Sequence, residues 1–101
     1  MGYRYARACT NVRDVSDRSW IVLVRMAWVV LDKPAGETPA GEYYGGWEYL
    51  ALPWDDGTRT RASLKVLSMR ALAELAAKGY VKPLGSAHLG QRQHYAITLD
   101  L

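Results

Sequence analysis

Cysteine is nearly missing from this chain, phenylalanine is missing altogether, and proline occurs only four times in 101 residues. A single thiol, Cys9, excludes an internal disulfide framework and fits a reducing compartment. There is no basic start followed by an apolar run and a small-residue cleavage site, so a cytoplasmic protein is expected. The longest apolar run, Trp20 to Leu31, is broken by Arg25. It falls well short of the ~20 residues that cross a bilayer, and no membrane partner is expected. No phosphate-cradling glycine loop and no Gly-x-Ser-x-Gly elbow is present. His88 and His94 stand apart from any cysteine or carboxylate cluster, whereas zinc needs three or four ligands. No metal, cofactor or enzymatic activity is therefore expected. Isoleucine occurs twice and asparagine once, while nine arginines outnumber four lysines. That bias fits a high-GC genome, bacterial, phage or plasmid.

What is present is half apolar and 23% charged, enough for one packed domain. A domain this small buries only roughly 60–65% of its unfolded surface, so oligomerisation is in play. The net charge of +3 is unevenly spread. Residues 1–32 hold five arginines against three aspartates, 33–57 one lysine against five carboxylates, and 58–101 seven cations against two carboxylates. A basic C-terminal half beside an acidic middle suggests a face for a polyanion.

Residues 1–15 alternate aromatic and basic side chains at Tyr3, Arg4, Tyr5 and Arg7, then lose all pattern. They read as a basic N-terminal arm, with residues 16–101 as the domain. Ser16 is suited to cap a helix, and Asp17 adds favourable charge to its first turn. That helix is expected from about Asp17 to Asp32, stopped by Lys33-Pro34. Trp20, Leu23, Val24, Ala27 and Leu31 form one stripe, while Val22, Met26 and Val29 lie opposite. A helix apolar nearly all round is buried on more than one face, so a homodimer through this first helix is expected. Residues 33–45 read as loop. Trp47, Leu50 and Ala51 predict a two-turn helix over Gly46 to Leu52, ended by Pro53, and Asp55-Asp56-Gly57 is a turn.

Thr58 or Thr60 caps the next helix, predicted to run to about Lys78. Leu64, Leu67, Ser68, Ala71, Leu72 and Leu75 form its inner stripe, and Gly79 sits where a left-handed cap is wanted. Tyr80 to Leu84 is extended, 85–90 is loop, and Tyr95, Ile97 and Leu99 alternate with His94, Ala96 and Thr98. Two strands about a glycine-bounded loop make a β-hairpin.

This order, together with the stretch from Met69 to Val81, the returning Gln91 to Thr98 and the segment Tyr43 to Ala51, resembles a winged helix-turn-helix domain. It is similar to small proteins of high-GC bacteria and their phages or plasmids. The resemblance covers roughly residues 16–99. It implies an α+β fold of three helices plus a C-terminal hairpin wing, with the long basic helix as recognition helix. The turn between the second and third helices is longer than usual, and Asp55 and Asp56 would meet approaching phosphates.

The chemistry follows from that assignment. The recognition helix would present Arg59, Arg61, Ser63, Lys65, Val66, Met69 and Arg70 to base edges. Arginine would pair with guanine, and Val66 and Met69 would touch thymine methyls. An exposed ion pair between Arg70 and Glu74 is the structural alternative for that arginine. His88, Gln91 and Arg92 form the expected wing tip, suited to a narrow minor groove. Lys82, with Arg4 or Arg7, would touch phosphate. The expected function is sequence-specific binding of double-stranded DNA by a dimeric transcriptional regulator. The alternatives are a phage or plasmid accessory protein for partition, replication or excision, and a winged-helix protein-interaction module.

Overall fold

A computed structural model describes residues 3–31, 33, 35–36, 39–84 and 94–99. The order is α1 (Tyr3–Ala8), a 3-10 turn (Cys9–Asn11), α2 (Asp17–Val29), β1 (Glu42–Tyr43), α3 (Gly46–Ala51), a second 3-10 turn (Leu52–Trp54), α4 (Arg61–Ala77), β2 (Val81–Leu84) and β3 (His94–Ile97). It is an α+β fold with four helices rather than three, carrying a small antiparallel sheet of order β1-β3-β2.

The extra helix comes from the stretch expected to be a basic arm. Tyr3, Arg4 and Arg7 face solvent, but Tyr5, Cys9 and Val12 are buried. The alternation is the outer surface of a helical turn whose fourth side is core. Gly41 receives the Tyr5 ring: a Cβ there would stand 2.5 Å from Tyr5 Oη, and the backbone has φ +75°. Both facts demand glycine. Trp20 Nε1 donates to Cys9 O at 2.9 Å, fastening the same segment to α2. Burial pushes the Cys9 thiol up to about 11, and Sγ donates to Tyr5 O, so Cys9 is a packing residue rather than a nucleophile.

In α2 the sequence marked the element and its cap correctly but not its inner face. Ser16 Oγ accepts from Ser19 N–H at 3.3 Å, and the helix ends at Val29, short of the expected Asp32. Ser19, Val22, Leu23, Met26 and Ala27 are buried, so the inner face draws on both predicted stripes. The chain covers these residues with its own α1, α3 and α4. The surplus of apolar residues that argued for a dimer through α2 is thus largely enclosed within one chain. Trp28 and Val29, at the end of the helix, remain exposed.

The third strand lies in a region expected to be all loop. Tyr43 is paired with Tyr95 and buried, its hydroxyl donating to Gly46 O at 2.6 Å. β2 and β3 pair as expected, Val81 with Ile97 through Leu84 with His94, and Tyr95 and Ile97 dock on the core. β2 is an edge strand, which is where Pro83 is tolerated.

Candidate nucleic-acid interface

α4 is the element that the sequence specified best. Thr60 Oγ1 accepts from Ser63 N–H at 3.1 Å, a side-chain N-cap. At the other end Tyr80 N–H reaches Leu75 O at 2.9 Å and Gly79 N–H reaches Ala76 O at 3.1 Å, with Gly79 at φ +82°. This pair of bonds satisfies the last carbonyls and turns the chain into β2. The buried residues of α4 are Leu64, Leu67, Ser68, Ala71, Leu72 and Leu75, the predicted stripe in full. Ser68 Oγ donates to Trp47 O at 3.1 Å, locking α4 to α3.

Because the inner stripe faces the core, the other face of the helix must face outward. Ala62, Lys65, Val66, Met69, Arg70 and Ala73 are all exposed. Lys65 and Arg70 make no ion pair with the described residues. Glu74, the alternative partner for Arg70, is turned elsewhere. Its Oε1 accepts from Ser16 N–H at 3.1 Å and Ser16 Oγ at 2.8 Å, at the start of α2. Hydrogen bonds from Ser19 and Ser16 hold the Glu74 carboxyl below its ordinary range. Arg70 is thereby left without its helical neighbour.

The remaining expected contacts divide. Arg61 is exposed but engaged: it lies 3.2 Å from Glu48 and over the Trp47 ring at 4.8 Å. Arg18 over Trp54 and Arg25 over Tyr49 repeat that arrangement, and Arg25 Nε also donates to Tyr49 O. Three arginines thus cover the aromatics of α3 and its 3-10 extension, a use of positive charge that the charge count could not reveal. Arg59 is exposed beside Asp56. Ser63 is half-buried next to the cap, and Lys82 is exposed on β2. His88, Gln91 and Arg92 lie outside the described residues.

Asp55 and Asp56 build the turn before α4. Asp55 Oδ1 accepts from Gly57 N–H, and Asp56 Oδ1 accepts from Thr58 N–H at 2.9 Å and Thr58 Oγ1 at 2.6 Å. The Thr58 bonds lead the causes that lower the Asp56 carboxyl, with Arg59 a minor one. A cavity of about 250 Å³ opens here between Trp47, Leu52, Asp55, Arg59 and Arg61. Among the described residues no group of three metal-ligating side chains exists, and no helix is long and apolar enough to cross a membrane.

Compared with models of protein families, with curated proteins and with solved structures, the chain matches none of them.

Proposed function

We propose that the chain is a winged-helix protein that binds double-stranded DNA sequence-specifically, as a transcriptional regulator in the cytoplasm. One observation carries the reading. α4 is packed along its whole inner stripe, while its outer face offers Lys65 and Arg70 with no ion-pair partner among the described residues. A helix about 10–12 Å across, held rigidly and cationic outward, matches the dimensions and charge of a major groove. The element order supports the winged-helix arrangement: β1 precedes α3, and β2 and β3 follow α4 and pair with each other. Lys82 on β2 is a candidate phosphate contact. Dimerisation through α2 would have to use Trp28 and Val29, since the rest of its large apolar side chains are buried or half-buried.

The test is an electrophoretic shift with duplex fragments. Binding is expected to weaken steeply between roughly 50 and 200 mM salt, as counterion release requires. Lys65→Ala and Arg70→Ala should each weaken binding and flatten that dependence while leaving the thermal midpoint nearly unchanged. Absence of any shift at low salt would sink the proposal. A second reading, a protein-interaction module, draws on the apolar centre of the same face. Retention of an unrelated protein surface with no affinity for duplex would favour it.

A further inference from the structure

The outward face of α4 is less polar than a surface meant only for phosphate. Ala62, Val66, Met69 and Ala73 follow one another at intervals of four, three and four residues, so they share one line along the helix. All four are exposed, Val66 at 45% and Met69 at 42%. Lys65 and Arg70 stand about 70° to either side of that line, at 100° per residue. The centre of the face is therefore hydrocarbon and thioether, with one cation on each flank.

The groups that normally read bases by hydrogen bonding are missing from this centre. Arg61 lies well off this line and, though exposed, pairs with Glu48 over the Trp47 ring, Ser63 is half-buried beside the cap, and no asparagine or glutamine lies on α4. The C5 methyl of thymine is the apolar feature that a base pair displays in the major groove. We propose that this face reads thymine: Val66 and Met69 pack on C5 methyls of an A·T-rich site, while Lys65 and Arg70 take phosphates on the two walls. The proposal rests on the DNA-binding reading and specifies its substrate. Charge favours DNA over a second copy as occupant. Two α4 helices pressed together along this line would gather two lysines and two arginines around one seam, whereas a polyanion neutralises them.

The experiment uses the full chain and short duplexes with a randomised centre. The best retained duplex is resynthesised with deoxyuridine for thymidine, which removes only the methyl groups. Thymine should be enriched in the selected centre, and each contacted methyl removed should weaken binding about fourfold. Val66→Ala and Met69→Ala should bring the thymidine-to-deoxyuridine ratio towards one. Lys65→Ala and Arg70→Ala should weaken both duplexes alike. The altered side chains are exposed, and thermal midpoints check that the fold is kept. Equal affinity of the unaltered chain for both duplexes overturns the thymine proposal and leaves DNA binding standing. Failure to retain any duplex at low salt overturns both. A concentration-dependent doubling of mass that Met69→Ser abolishes assigns the face to a second copy and overturns the proposal.

Discussion

α2 and α4 pose the same problem in sequence and solve it differently. Each carries more apolar residues than one buried face requires. α2 is enclosed along most of its length: α1 covers one side, Arg25 and Arg18 tie another to Tyr49 and Trp54, and α4 closes the inner face, leaving only Trp28 and Val29 of its large apolar side chains exposed, at its C-terminal end. α4 is half enclosed. Its inner stripe is buried, and Val66 and Met69 remain uncovered. Most of the surplus in α2 serves the fold, whereas the surplus in α4 lies exposed midway along the helix. Periodicity alone could not tell which was which.

Substitutions can sharpen that contrast. The largest effect is expected inside α4. Leu75→Ala removes a fully buried side chain and should cost about 2–5 kcal/mol in denaturant titration, whereas Val66→Ala should stay within about 0.5 kcal/mol. Comparable losses at both positions would break the division of the helix into two faces. Next comes the cover of α2. Tyr5→Ala should cost about 3 kcal/mol by the same measurement, because it empties the space between α1, α2 and Gly41. A mobile arm would give almost no change. The smallest effect concerns Glu74, which joins the start of α2 to α4. The folded state favours its carboxylate, so it binds fewer protons there than the unfolded chain does. The thermal midpoint should exceed that of Glu74→Gln near neutral pH. The gap should close as pH falls below the ordinary glutamate value of about 4.3 and through the lowered folded value. A gap independent of pH would remove the carboxylate from this role.

The elements that could be read from sequence are those fixed locally. Ser16, Thr60 and Gly79 each act within a few residues of their own position, and the α4 stripe needs only the helical repeat. What could not be read depends on distant partners. Tyr5 becomes a core residue through Gly41, and β1 exists because Tyr43 finds Tyr95. Neither neighbour lies within a helical turn or a hairpin of its partner. The candidate interface was legible as a helix face, and its exposed members Lys65, Val66, Met69 and Arg70 stand where the repeat puts them. The contacts of Arg61 with Glu48 and Trp47 could not be read, because both reach it from a different helix. Likewise, Glu74 follows Arg70 by one helical turn but turns to Ser16, 58 residues back along the chain.

The sheet has two rims, and neither invites another strand. β1 offers only two residues, and β2 carries a charged lysine followed by Pro83, which has no amide hydrogen to donate. Lateral growth by backbone pairing, the usual route from small sheets to fibres, is thereby discouraged on both sides. Assembly with any other molecule is left to side-chain surfaces, where shape and charge can discriminate between visitors in a way that an open ladder of amides cannot.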